Sequence, residues 1–141
     1  MFKTILVPVD LGEVDVAKPA IDKAIALADW SGATVRLINI QPLLPATYMD
    51  YVPSDFDGQQ KEWAEKAMAE LAAKVPLPEG RVSTVVRIGG IYPEILAEAE
   101  EWGADLIVIG SHRPAMSTYL LGSNAKTIVR HAKCSVLVVR D

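Results

Sequence analysis

The stretch KTILVPVD, Lys3 to Asp10, decides how the rest of the chain is read. It is a short apolar run rich in β-branched residues, bounded by Asp10 and Gly12, the pattern of a buried strand. Working outward, Ala20, Ile21, Ala24, Ile25, Leu27 and Ala28 recur at helical spacing. Pro19 is expected in the first turn of that helix, and Gly32 supplies its C-terminal stop. The strand and helix pair then repeats. Thr34 to Ile40 reads as a strand, and Gln59 to Val75 as a helix with Trp63, Ala67, Leu71 and Val75 on its apolar face. Arg81 to Ile88 is the third strand, and Ile91 to Trp102 the third helix, opened by Pro93 and ended by Gly103. Asp105 to Ile109 is the fourth strand, Ser123 to His131 the fourth helix, and Ser135 to Arg140 the last strand. Five apolar strands alternating with four helices predict a parallel sheet covered on both faces. Right-handed crossovers make it a doubly wound, Rossmann-like α/β fold.

Composition agrees with an ordinary globular domain. The 141 residues are half apolar and 23% charged, which suits a single domain over 1–141 and excludes disordered or fibrous classes. The first ten residues carry one lysine and an apolar run of only five, Ile5 to Val9, so no secretory signal is expected there. No stretch approaches the ~20 apolar residues that cross a bilayer. The lone Cys134 excludes an intramolecular disulfide and suits a reducing compartment, so the cytoplasm is the expected location and no membrane partner is expected. Two histidines and one cysteine, far apart, make no zinc site.

The net charge of -4 hides an asymmetry. Residues 1–109 hold nine Lys or Arg against seventeen Asp or Glu, whereas residues 110–141 hold five against Asp141 alone. A basic last quarter on an acidic body points to a local anion site; a nucleic-acid surface would need a denser basic patch. The connection Gln41 to Gly58 is also unusual. With three prolines, two tyrosines and three aspartates, it far exceeds the ~2 to 6 residues common in α/β loops and is a candidate lid or partner-binding segment.

In an open α/β sheet, ligands bind beyond the carboxyl ends of the strands where strand order reverses. That places the chemistry after strands one and four. Asp10 emerges straight from the first strand, where it can accept from a ribose hydroxyl, face Mg²⁺, or simply cap the following turn. After strand four come Gly110, Ser111, His112, Arg113 and Pro114, and later Gly122, Ser123 and Asn124 at the mouth of the fourth helix. Glycine permits close backbone approach, and first-turn amides of a helix carry partial positive charge, so Gly122 and Ser123 can cradle a phosphate. His112 is a candidate phosphate contact. Gly89 and Gly90 read as a turn that needs glycine, and His131 as a cation suited to a helix C-terminus. Trp63 and Trp102 are expected in the core or at its margin.

From KTILVPVD through DLIVIGSHRP and LLGSNA to IVRHAKCSVLVVR, the chain resembles a universal stress protein over essentially its full length. The nucleotide-binding branch of that family carries G-x2-G-x9-G-[S/T] after strand four. Gly110 matches the first glycine, and Gly122 with Ser123 the closing pair. Arg113 stands at the middle glycine, with eight residues in place of nine between it and Gly122, and can itself pair with phosphate. The S-H-R-P loop followed by T-Y-L-L-G-S-N resembles one bacterial subgroup of the family.

The resemblance implies strand order 3-2-1-4-5 and ATP or a related adenine nucleotide as ligand, with or without Mg²⁺. It implies that Pro8, Val9 and Asp10 line the adenosine, that Ile40 reads the adenine through its backbone, that Ile109 and Gly110 flank ribose and phosphates, and that Gly122, Ser123 and Asn124 hold them. It also implies a stress-response role and a homodimer through the edge strand Val136 to Val139, since an apolar edge invites pairing. No Walker A loop, GxGxxG fingerprint, GxSxG elbow or paired-carboxylate site is visible, so any ATP hydrolysis or autophosphorylation would be weak. A receiver domain would need an acidic cluster, and Asp10 has only Glu13 and Asp15 nearby. A nucleotide-free dimeric interaction protein, its glycines serving turns only, is the alternative.

Overall fold

The computed structural model describes residues 1–111 and 123–140. Five strands run β1 (Thr4–Pro8), β2 (Thr34–Gln41), β3 (Val82–Ile88), β4 (Leu106–Gly110) and β5 (Ser135–Val139), interleaved with helices α1 (Val14–Ser31), α2 (Phe56–Ala72), α3 (Ile91–Trp102) and α4 (Ser123–His131). The strands form one parallel sheet in the order β3-β2-β1-β4-β5, the expected topology.

Period-two alternation distributes the apolar strand residues between two cores. Ile5, Val7 and Val9 of the first segment join Leu106 and Val108 on one face, packed by α1 through Ala17, Ala20, Ala24 and Ala28 and by α2 through Ala64 and Met68. Leu6, Ile107 and Ile109 face the other way, against Ile95 and Ala99 of α3 and Ile128 of α4. Four alanines on one stripe of α1 let that helix sit close to the central strands. The chain winds leftward from β1 with helices on the first face, then rightward from β1 with helices on the second, so the reversal falls between β1 and β4.

Several boundaries depart from the sequence expectation. α1 starts at Val14, so Pro19 sits inside the helix and not in its first turn. α2 starts at Phe56 and ends at Ala72, and Val75, expected on the helix, is buried beyond its end. Gln41 belongs to β2, and the connection after it is broken by a 3₁₀ helix, Ala46–Tyr51.

Trp63 is 59% exposed, so its expected place in the core is wrong. The buried stripe of α2 is Ala64 and Met68, one residue round the helix from the face read in the sequence. That shift leaves Trp63, Ala67 and Leu71 along a shallow groove with Leu11 and Val14. Trp102 does flank the second core, and Arg36 stacks over its ring at 4.3 Å.

The glycine stops behave as expected. Gly32 and Gly103 end their helices in the left-handed region, at φ 75° and 80°, and return N–H bonds to Ala28 and Ala99. Gly89, at φ 149°, turns the chain into α3 and donates its N–H to the Gln41 carbonyl at 2.9 Å, which makes it a turn glycine.

In one corner the packing is ionic. Glu98, only 6% exposed, accepts from Arg36 Nη1 at 2.8 Å and from Arg87 Nη1 at 3.0 Å. Arg87 also reaches Glu94 and Glu101. These carboxylates, Glu94 foremost, hold the Arg87 guanidinium charged far above its ordinary range.

Candidate functional site

At the carboxyl end of β1 the Val9 N–H donates to the Ile38 carbonyl at 2.8 Å, which carries the β1–β2 pairing one residue past the strand. Val9 is 4% exposed, Pro8 is half-buried, and Asp10 is exposed at the top of the sheet. Asp10 Oδ1 accepts the Gly12 N–H at 2.9 Å, and the Asp10 carbonyl accepts the Glu13 N–H at 3.0 Å. The residue therefore shapes the turn into α1, as an Asx turn does. It also presents a carboxylate where strand order reverses, and the two roles use different parts of its surface.

Across the switch point, Ile109 is buried in the second core while Gly110 is exposed. Ser111 continues the pairing of β4 with β5 through its N–H to the Val139 carbonyl at 2.9 Å. Gly110 has no positive φ, and among the described residues a Cβ built on it would meet the Val16 carbonyl at an ordinary 3.6 Å. Nothing in the described packing demands glycine there.

α4 opens at Ser123, which is exposed, followed by half-buried Asn124. Its first turn carries no acidic residue and its last turn carries Arg130 and His131, so the side-chain charges leave the positive N-terminal end of the dipole unopposed. Ile40, next to last in β2, is half-buried against the second core. Pro8, Val9, Asp10, Ile40, Ile109 and Gly110 are thus gathered at the carboxyl edge of three adjacent strands. His112, Arg113 and Gly122 lie outside the described residues.

The sequence reading missed a buried polar row beneath this edge. Asn39 Nδ2 donates to the Val9 carbonyl at 2.9 Å, Gln41 Nε2 to Asn39 Oδ1 at 2.6 Å, and Gln60 Nε2 to Gln41 Oε1 at 2.8 Å. The available signal was Asn39-Ile40-Gln41, two amides on one face of a strand that otherwise buries aliphatic side chains there. Among the described residues no group of three His, Cys, Asp or Glu is placed to hold a metal. A cleft of about 220 Å³ at the opposite end of the sheet, lined by Leu96, Gly103, Ala132 and Cys134, takes in none of the site residues.

This arrangement defines a doubly wound α/β protein with Asp10 and Gly110 exposed at its topological switch. Its relatives narrow the class. The universal stress protein family model matches residues 1–140. Universal stress protein G of Escherichia coli O157:H7 is 36% identical, covering 99% of this chain and all of its own. Among solved structures, the universal stress protein UspA from Lactobacillus plantarum superposes with a TM-score of 0.80 at 26% identity, over 99% of this chain and 98% of that one. A universal stress protein in complex with cAMP superposes with a TM-score of 0.69 at 22% identity, over 98% and 97% of the two chains. The chain belongs to the universal stress protein family.

Proposed function

We propose that this protein is a cytoplasmic stress-response module, one domain over 1–141, that binds an adenine nucleotide at the switch between β1 and β4. The observation that carries the reading is the convergence there of an exposed Asp10 and an exposed Gly110, where no contact among the described residues calls for glycine. The residues fit the group. Pro8, Val9 and the backbone of Ile40 would line the base and sugar, and the Asp10 carboxylate would accept from ribose or approach a Mg²⁺ ion. Gly110, Arg113, Gly122, Ser123 and Asn124 would hold the phosphates, with His112 beside them. When bound, the nucleotide supplies a charged tail that the helix dipole alone, worth ~0.3 to 1 kcal/mol, does not hold. Micromolar affinity needs about 8 kcal/mol, so amides, Arg113 and the base pocket would act together.

A regulatory binding role is proposed ahead of hydrolysis because the sequence carries no Walker A loop, GxSxG elbow or paired-carboxylate motif. The kinship with a family member solved with cAMP supports an adenine ligand in general and leaves the phosphate state to experiment. The test is release of nucleotide from heat-denatured purified protein, together with the melting temperature in ATP, ADP, AMP and cAMP, each with and without Mg²⁺. An adenine nucleotide in the supernatant, or a rise in melting temperature that Gly122→Val abolishes, is the expected result. Neither release nor shift would overturn the reading in favour of a nucleotide-free interaction protein.

A further inference from the structure

The connection between β2 and α2 presents aromatic rings to solvent. Its 3₁₀ helix, Ala46–Tyr51, turns once every three residues, so side chains three apart eclipse, and Tyr48 and Tyr51 share one face. Tyr48 is 56% exposed and Tyr51 84%. Leu43 is exposed ahead of them, and Ile91 and Tyr92 are exposed at the start of α3. The two loops meet at their roots, where the Gly89 N–H donates to the Gln41 carbonyl.

The ring pair stands on a stiff support. The Tyr48 N–H donates to the Pro45 carbonyl at 2.9 Å and the Phe56 N–H to the Pro53 carbonyl at 3.0 Å. Two prolines of fixed φ thus bracket the 3₁₀ helix. Tyrosines held in this way lose little freedom when a partner covers them, which suits them as binding anchors.

Charge selects the partner. Between Arg36 and Lys61 the sequence has no lysine or arginine and three aspartates, Asp50, Asp55 and Asp57. Asp50 is exposed on the 3₁₀ helix between the two tyrosines. Stacking platforms for single-stranded nucleic acid and surfaces for anionic lipid both need basic residues, which this segment lacks. A guanidinium meets both features, because it stacks on an aromatic face and pairs with a carboxylate. The fold makes the same contact internally, where Arg36 lies 4.3 Å over the Trp102 ring while it bonds Glu98 at 2.8 Å.

We infer that the Tyr48 and Tyr51 face, with Asp50, docks an arginine-bearing extended segment of another protein. None of these residues belongs to the proposed nucleotide site, so the inference stands independently of that reading.

The experiment is fluorescence anisotropy on the whole protein with a labelled octapeptide alternating arginine and glycine. Its lysine counterpart and a labelled oligothymidine serve as comparison probes. The arginine peptide is expected to bind most tightly. Tyr48→Ala and Tyr51→Ala are expected to weaken it about threefold each and roughly tenfold together, with the melting temperature unchanged because both side chains are exposed. Tyr51→Phe, which keeps the ring, is expected to bind as wild type does. Asp50→Asn is expected to weaken binding and flatten its salt dependence. The double tyrosine variant keeps every charge, so an affinity that survives it would reveal general attraction to an acidic protein and overturn the inference. No binding of the arginine peptide by the wild type, equal binding of the lysine peptide, or tighter binding of the oligothymidine would overturn it as well.

Discussion

Gly110 separates the demands of folding from those of binding. Its backbone angle suits any residue and among the described residues a Cβ has ordinary room, so Gly110→Ala is expected to leave the melting temperature within a few degrees of wild type. Gly110→Val, which adds bulk at the switch point, is expected to weaken nucleotide binding measured by calorimetry by roughly tenfold or more, since about 1.4 kcal/mol of lost contact is a factor of ten. A second residue-scale prediction concerns Cys134, half-buried just before β5, whose thiol burial pushes above its ordinary value near 9.0. A raised folded-state value favours the neutral thiol. Its contribution to stability is therefore complete below the unfolded thiol's titration and declines as pH rises above about 9. Urea midpoints at about pH 7 and about pH 10 are expected to fall less steeply for Cys134→Ala than for wild type. An identical alkaline slope in both would contradict it.

At the scale of elements, α2 is the instructive case. Apolar residues occur on two adjacent stripes of this helix, Trp63 with Ala67 and Ala64 with Met68, and the sequence periodicity fits either. What decides is the face presented to β2 and β3, where Ala64 and Met68 are fully buried beneath the first core. Met68→Ala is expected to cost about 2 to 5 kcal/mol in urea unfolding, and Trp63→Ala less than about 1 kcal/mol. A larger loss at Trp63 than at Met68 would reverse the assignment. The same limit explains the misplaced Pro19. The helix pattern becomes visible at Ala20 in the sequence, but the turn built on Asp10 and Glu13 starts the helix at Val14. Strand positions, by contrast, were legible within a residue or two, because fully buried parallel strands are written as unbroken aliphatic runs.

For the whole molecule, the open edge of the sheet matters most. Among the described residues β5 pairs only with β4, and Leu137 on it is 37% exposed. An apolar edge of this kind favours pairing with a second copy about a twofold axis. Light scattering at micromolar concentration is expected to give a dimer mass for the wild type and a monomer mass for Leu137→Lys, which sets like charges against each other across that axis. A monomeric wild type would remove the dimer from the account. No helix among the described residues is long and apolar enough to cross a membrane.

The sequence by itself determined the order of strands and helices, the parallel sheet and the placement of Asp10, Ile40 and Gly110 at strand ends, because local periodicity and turn chemistry depend only on neighbours along the chain. Tertiary structure alone decided which stripe of α2 is buried and that Asn39, Gln41 and Gln60 form one hydrogen-bonded row. It also decided that Glu98 lies between two arginines. Those outcomes depend on which surfaces meet across the fold, and contact between residues distant in sequence is not encoded in any one stretch of it.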